Sequence, residues 1–256
     1  MTTCFVAQFR GISLAAADTR LSINDGSGQS AARWDAADLP VQTSSGIDHI
    51  FSYEFRKIRQ LNRGWAVAAG SYPTGVQMLN LLQRERSASA EQAAEILRTK
   101  ASAEFEAMRA VPDMGENLYV SRILGTPAAP DRSGVWMAQM VGTPEFTVQT
   151  APEFAMNWPT SIAADEITAA QEAFFSRLNT STSIADMIRA AATLIGSARA
   201  AADSSAYAQI GITWQSGETE FQARYVHGHV DELAALTNEE ISARWQTLPA
   251  SLDQVT

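Results

Sequence analysis

Cysteine and lysine are scarce in this chain of 256 residues, which has one cysteine, Cys4, and two lysines, Lys57 and Lys100. A single cysteine excludes an internal disulfide, and a cytoplasmic location is the expectation that follows. No run reaches the roughly 18 apolar residues of a membrane helix, and the N-terminus lacks the charged-then-apolar order of a signal peptide. We therefore expect no membrane association.

Positive charge is also limited, since 19 Lys and Arg face 28 Asp and Glu, for a net charge of -9. The arginines are scattered rather than clustered, which disfavours nucleic acid as a partner. Only three histidines occur. His227-Gly228-His229 is expected to be a surface or core element rather than a zinc site, and no metal or other cofactor is expected.

Segments with strand and helix patterns alternate in groups. Strands are expected over 2–9, 12–17, 50–61, 65–69, 117–124, 134–141, 145–150, 206–214 and 220–226. Helices are expected from Pro73, from Ser89 to about Ala110, over 165–178, from Ser183 to about Ala201, and over 231–245. Ser89 with Gln92, and Ser183 with Asp186, have the spacing of capping boxes.

Groups of strands separated by pairs of helices are typical of α+β proteins rather than alternating α/β proteins. Two helix pairs flanking two packed sheets would form a four-layer αββα sandwich. A hydrophobic fraction of 46% is enough for a substantial core. We expect one domain over 1–256, with an inserted loop or hairpin at 24–48, a loop between Pro152 and Pro159, and a helical tail at 231–256.

The residues Met1-Thr2 suggest a possible nucleophile. A small second residue lets the initiator methionine be trimmed, so Thr2 would carry a hydroxyl and a free α-amine. The reference pKa of an α-amine is about 7.7–8.0, so much of it can act as a base near neutral pH. A threonine hydroxyl activated by its own amine is a recognised nucleophile.

Three further segments complete a pattern with this threonine: Ala16-Ala17-Asp18-Thr19-Arg20, Lys57-Ile58, and an apolar strand ending at Ala69-Gly70. Thr2 and Asp18 are 16 residues apart, and Lys57 and Gly70 are 13 apart. Together these segments resemble the proteasome β-subunit family of N-terminal nucleophile (Ntn) hydrolases, and most nearly its stand-alone bacterial members of the Anbu type.

The resemblance implies a role for each matching residue. Thr2 would be the nucleophile and, through its amine, the base. Lys57 would lower the pKa of the Thr2 hydroxyl and orient it, and Asp18 would keep Lys57 charged by pairing with it. The backbone N–H of Gly70 would face the developing oxyanion. Outside this context, Lys57 would be expected on the surface and Gly70 in an ordinary turn.

The second half of the chain departs from the family pattern. The Gly-Ser-Gly expected before the third helix is missing, and Thr160-Ser161 is the local candidate. Asp203 lies where the family aspartate belongs, although Tyr207-Ala208 replaces the Gly-Gly that should follow. Ser161 and Asp203 are the predicted secondary residues.

The resemblance also places a substrate pocket. Leu21, Arg59, Ala68 and Tyr72 occupy positions that line the first specificity pocket in the family. A small Ala68 would leave the pocket deep, and Arg59 would favour an acidic or polar side chain. The segment from Arg20 to Lys57 is longer than in typical subunits, and it could narrow the cleft or have no role.

The favoured hypothesis is a threonine-type peptidase or amidohydrolase that acts on peptides or unfolded proteins as a homo-oligomeric ring or spiral. The alanine-rich segments 90–110 and 184–201 are expected to suit packing between helices. Two alternatives stay open: a transpeptidase or ligase that uses the same acyl-enzyme, and an inactive scaffold with this fold. Whether an ATPase partner exists does not follow from the sequence.

Overall fold

The computed structural model describes residues 2–19, 21–24, 30–34, 57–62, 64–70, 72–87, 89–109, 120–126, 134–141, 145–199, 205–216 and 220–244. Its strands are β1 (Cys4–Phe9), β2 (Ile12–Asp18), β3 (Leu21–Asn24), β4 (Ser30–Trp34), β5 (Ile58–Gln60), β6 (Trp65–Gly70), β7 (Val120–Gly125), β8 (Val135–Val141), β9 (Thr147–Ala151), β10 (Phe154–Asn157), β11 (Tyr207–Ser216) and β12 (Glu220–His229). Its helices are α1 (Tyr72–Arg84), α2 (Ala90–Arg109), α3 (Ala164–Thr180), α4 (Ile184–Ser197), α5 (Val230–Ala235) and α6 (Asn238–Arg244).

The first sheet combines the first two described strands of the chain with its last three. Its strands are antiparallel in the order β10-β1-β2-β11-β12. A two-residue turn joins β1 to β2, where Arg10 and Gly11 both have positive φ, at 47° and 74°. Two left-handed residues are what a tight hairpin requires, because this turn matches the twist of the flanking strands.

The second sheet is built from the middle of the chain, in the antiparallel order β5-β6-β7-β8-β9. Strands β3 and β4 form a separate two-stranded ribbon. Strand β3 ends where the predicted insertion at 24–48 begins and β4 lies within it, and the other residues of the insertion lie outside the described part of the chain.

Three groups of buried residues define four layers. One lies between the first sheet and helices α3 to α6, and includes Phe5, Ile188 and Val230. A second lies between the other sheet and helices α1 and α2, and the third fills the space between the two sheets. The expected α+β, four-layer αββα architecture is therefore confirmed. No helix in the described residues is long and apolar enough to cross a membrane.

One expectation about the elements is wrong. The segment between Pro152 and Pro159 contains strand β10, which pairs with β1 at the edge of the first sheet. The expected helical character of the tail is present in two short helices, α5 and α6, which are separate because the chain leaves the helix at Leu236, whose φ and ψ are -58° and 135°. Trp245, the expected end of this tail, lies outside the described residues.

The predicted capping box at Ser183 and Asp186 is confirmed. The Ser183 hydroxyl accepts a hydrogen bond from the Asp186 N–H at 3.2 Å, and the Asp186 carboxylate accepts one from the Ser183 N–H at 2.9 Å. Ser89 likewise accepts a hydrogen bond from the Gln92 N–H, at 3.2 Å, at the start of α2. These side chains satisfy backbone donors that have no partner within the helix.

Asp186→Asn is expected to destabilise the protein by about 1 kcal/mol near neutral pH. Burial alone would raise the pKa of Asp186, but hydrogen bonds from Thr182, Ser183 and Arg189 outweigh it and lower the pKa. A lowered pKa stabilises the folded state above the ordinary value of 3.8, and this contribution disappears as the pH falls through the folded value. The difference in melting temperature between wild type and variant should become smaller as the pH is lowered into the acid range. A difference that does not change with pH would contradict this account.

Candidate active site

The pairing of β1 with β2 brings Thr2 close to Asp18. Cys4 pairs with Ala17, so Thr3 lies opposite Asp18, whose N–H donates to the Thr3 carbonyl at 2.9 Å. The Asp18 Oδ2 accepts a hydrogen bond from the Thr3 N–H at 2.7 Å. The short hairpin thus places two residues that are 16 positions apart at one end of the first sheet.

Lys57 approaches the same point from the second sheet. Its carbonyl accepts a hydrogen bond from the Ala68 N–H at 3.0 Å, and its own N–H donates to Gln209 Oε1 at 3.0 Å. The backbone of Lys57 is therefore held both by β6 and by a side chain of β11. Its Nζ donates to Thr2 Oγ1 at 3.0 Å and to Asp18 Oδ1 at 2.5 Å.

These three side chains form a buried group. Asp18 is 0% exposed, Lys57 5% and Thr2 7%. Removing two charges from water costs several kcal/mol per ion, which close pairing and further hydrogen bonds must offset. Asp18 meets this requirement, because Lys57 contacts one of its oxygens and the Thr3 N–H contacts the other.

This arrangement places a cation on a hydroxyl oxygen. The Lys57 ammonium has only donors, so the Thr2 hydroxyl oxygen accepts from it and can give its own proton to a base. A fixed cation in a site from which water is largely excluded stabilises negative charge on that oxygen. The geometry suits activation of Thr2 as a nucleophile.

Gly70 ends strand β6 and is exposed. Its φ is 98°, a left-handed conformation that residues with a Cβ rarely adopt. Ala68, two residues earlier, bonds to the Lys57 backbone, so Gly70 lies at the same end of the second sheet as Lys57. That is the end where the predicted role of its N–H requires it to be.

The predicted pocket residues are only partly visible. Arg59 donates from Nε to Asn80 Oδ1 in α1 at 3.2 Å and from Nη1 to the Ile58 carbonyl at 3.1 Å. Ala68 is buried against the helix side of the second sheet. Leu21 begins β3 and Tyr72 begins α1, but their side chains lie outside the described part of the structure.

The second half of the chain reaches Thr2 through a residue that the sequence does not single out. Asn157, at the end of β10, donates from Nδ2 to the Thr2 carbonyl at 2.6 Å. Ser161 is exposed in the turn before α3. Asp203 lies outside the described residues. The prolines on either side of β10 are typical of a loop, so the sequence did not indicate that Asn157 ends a strand next to Thr2.

Ser205 supports the end of β2. Its hydroxyl accepts hydrogen bonds from the N–H groups of Thr19 and Tyr207, both at 3.2 Å, and lies 3.0 Å from Thr19 Oγ1. Thr19 follows Asp18 directly, so these contacts fix the backbone beside the buried carboxylate.

No metal site is apparent at this end of the sheets. Within the described ranges, no three His, Cys, Asp or Glu side chains are grouped so that they could hold a metal ion. His227 and His229 lie on β12, where both rings pack near Tyr207, with centroid separations of 6.1 and 5.2 Å.

The thiol of Cys4, close to this site, is expected to be unreactive. Burial, with a smaller contribution from the nearby Asp18 carboxylate and against an opposing one from Lys57, raises its pKa from 9.0 to about 12. Only the thiolate is nucleophilic, so iodoacetamide at a pH of about 8 should not label the native protein. Intact mass should show one adduct after denaturation; native labelling would contradict the buried position.

No family model and no curated protein sequence matches the chain. Solved structures do match. Thiobacillus denitrificans BPH in complex with Epoxomicin is 12% identical with a TM-score of 0.50, over 88% of this chain and 98% of that chain. Another structure of T. denitrificans BPH is 14% identical, with a TM-score of 0.44, over 88% and 97%. Eukaryotic HslV from Trypanosoma brucei is 13% identical, with a TM-score of 0.43, over 82% and 98%. The first likeness shows that the chain shares the fold of BPH.

Proposed function

We propose that the protein is a threonine-type Ntn hydrolase that cleaves peptide amide bonds through an acyl-enzyme on Thr2. The observation that carries this proposal is the position of Lys57 Nζ, which bonds to Thr2 Oγ1 and to Asp18 Oδ1 inside a buried site. The fold, which the chain shares with BPH, supports the proposal, since in this chain it brings Lys57 beside the second sheet to Thr2 and Asp18 of the first.

The reaction begins once Met1 has been removed and Thr2 has a free α-amine. The amine accepts the proton of the Thr2 hydroxyl, and Oγ1 attacks the amide carbonyl to form a C–O bond. Lys57 stabilises the negative charge that develops on Oγ1, and Asp18 holds Lys57 in place. As the C–N bond breaks, the proton passes to the leaving amine, and the acyl group stays on Thr2.

The tetrahedral intermediate places negative charge on the former carbonyl oxygen. We assign the Gly70 N–H to this oxyanion, because the positive φ turns the backbone at the end of β6 and no side chain blocks the approach. Water then attacks the acyl-enzyme, which releases a carboxylic acid and returns the proton to Thr2. Each step uses only groups of the chain, the substrate and water.

The substrate is proposed to be a peptide or an unfolded segment of protein. Arg59, held by Asn80 in α1, would favour an acidic or polar side chain, and Ala68 would leave room beside it. Because a structure of BPH contains Epoxomicin, we also propose that Thr2 reacts with epoxyketones, which offer a ketone to the hydroxyl and an epoxide to the amine.

We propose a cytoplasmic homo-oligomer as the working form, with the active sites facing an enclosed space. Packing between subunits would not use the alanines of α4, since Ala190, Ala191 and Ala192 are buried within the chain itself. The same holds for Ala93 and Ala101 of helix α2, which are also buried within the chain.

The test is product analysis with a set of fluorogenic peptide amides, with and without an added amine. Hydrolysis to the free acid that is lost in Thr2→Ala would support a hydrolase. Products that carry the added amine would instead show a transpeptidase or ligase acting through the same acyl-enzyme. Absence of turnover in wild type, with Met1 confirmed to be removed, would contradict the proposed activity.

A further inference from the structure

The side chain of Asn157 makes a contact with Thr2 that lies beyond the backbone pairing of β1 with β10. The last pair between β1 and β10 joins Cys4 to Asn157, so the Thr2 carbonyl lies beyond the reach of the β10 backbone. The Asn157 side chain extends past that pair and donates from Nδ2 to the carbonyl at 2.6 Å. Asn157 is only 5% exposed, so water competes little for this hydrogen bond.

The peptide group between Thr2 and Thr3 is held at both ends. Asn157 binds its carbonyl oxygen, and Asp18 Oδ2 accepts from its N–H at 2.7 Å. A peptide group is planar, so two contacts at opposite ends fix its orientation and the position of the Thr2 Cα. Rotation about the Thr2 Cα–C and Cα–Cβ bonds remains, and the hydrogen bond from Lys57 to Oγ1 restricts it.

Arg122 determines which way the Asn157 amide points. Its Nη1 donates to Asn157 Oδ1 at 2.8 Å, and a guanidinium has only donors. The amide oxygen must therefore face Arg122, and the NH₂ group must face the Thr2 carbonyl. Arg122 lies on β7 opposite Ala69, so this contact joins the second sheet to the edge strand of the first.

We propose that Asn157 is a positioning residue for Thr2 and that Arg122 acts through it. This inference rests on the proposed function, because it assigns the pair to the alignment of the nucleophile. Without Asn157, the peptide group is held at its N–H end alone and can tilt, which moves Oγ1 relative to Lys57 and to the substrate carbonyl. A misplacement of about 1 Å can cost roughly 100-fold in rate.

The test measures how fast an epoxyketone modifies Thr2, followed by intact mass, as a maximal rate (kinact) and a half-saturating concentration (KI). For Asn157→Ala we expect kinact to fall roughly 10- to 100-fold while KI stays within about twofold, since alignment rather than binding is lost. Asn179→Ala, the same change at an exposed position of α3, is the matched control and should react like wild type.

The role of Arg122 is tested by the double variant. Arg122→Met should lower kinact less than Asn157→Ala, and Arg122→Lys less again. Because Arg122 acts through Asn157, adding Arg122→Met to Asn157→Ala should cause no further loss, whereas independent roles would multiply. Asn157→Asp keeps an oxygen for Arg122 but removes the donor to Thr2, so it should react as slowly as Asn157→Ala.

The possible results distinguish failure of the positioning role from failure of the proposed function. If wild type reacts and folded Asn157→Ala or Asn157→Asp reacts equally fast, the positioning role is wrong and the proposed function stands. If Asn157→Ala does not fold, the isosteric Asn157→Asp decides, with its melting temperature as the check on folding. If wild type with a free Thr2 amine forms no adduct, the proposed function and this inference both fail.

Discussion

Replacing Lys57 with methionine is expected to slow acylation of Thr2 by roughly 100- to 1,000-fold, the range for loss of one preorganised charged group or donor. The same change should destabilise the protein by about 3–5 kcal/mol, because it leaves the carboxyl group of Asp18, which is 0% exposed, without its cationic partner. The rate at which a β-lactone acylates Thr2, followed by intact mass, measures the first effect, and the free energy of urea-induced unfolding measures the second.

The double variant Lys57→Met with Asp18→Asn separates these two effects. In the wild type the Thr3 N–H donates to Asp18 Oδ2. Asparagine at position 18 is neutral and still offers an oxygen to this N–H. The double variant should therefore recover much of the lost stability but none of the lost reactivity. Full reactivity in either variant would contradict the role given to Lys57, and an unchanged unfolding midpoint in the single variant would contradict the buried ion pair.

The second large effect is expected on stability, from Gly211→Ala in the centre of β11. A Cβ at this position would overlap the indole ring of Trp65, which is 3% exposed between the two sheets. The ring has little freedom to move, since its Nε1 donates to Thr213 Oγ1 at 2.7 Å. We expect a loss of about 2–4 kcal/mol, from overpacking and from strain on this hydrogen bond.

Gly228→Ala on the neighbouring strand is the matched control. The nearest atoms to its new Cβ would be Leu233 Cδ2 and Cγ, both at 3.2 Å, and a leucine side chain can shift by a few tenths of an ångström. The loss should be about 1 kcal/mol or less. Trp65→Leu combined with Gly211→Ala should be less destabilising than the two single changes added together. Equal losses in the two glycine variants would contradict the packing described for Trp65.

Local patterns were sufficient to predict much of the fold. The β1–β2 hairpin has apolar strands around Arg10-Gly11, and α4 has the serine and aspartate of a capping box, so both follow from residues close together in the chain. Strand β10 could not be predicted in this way. Its prolines indicate a loop, and its pairing with β1 joins residues about 150 positions apart.

The residues of the candidate site also differ in whether the sequence alone could predict them. Thr2, Asp18, Lys57 and Gly70 were found because a family pattern connects them, and their roles stay predictions until tested. Asn157 and Gln209 contact Thr2 and Lys57 only through tertiary structure, over 155 and 152 positions, and no short motif marks either. Ser161 was the candidate expected from position alone, yet Asn157, four residues earlier, reaches Thr2.

The most direct test of the central claim is the intact mass of the protein after treatment with an epoxyketone or a β-lactone, with Thr2→Ala treated in parallel. Our account predicts a chain that has lost Met1 and gained one adduct, and no adduct on Thr2→Ala. Cys4 is too deeply buried to supply a competing adduct. A chain that has lost Met1 and still forms no adduct, or an adduct that persists in Thr2→Ala, would contradict Thr2 as the nucleophile.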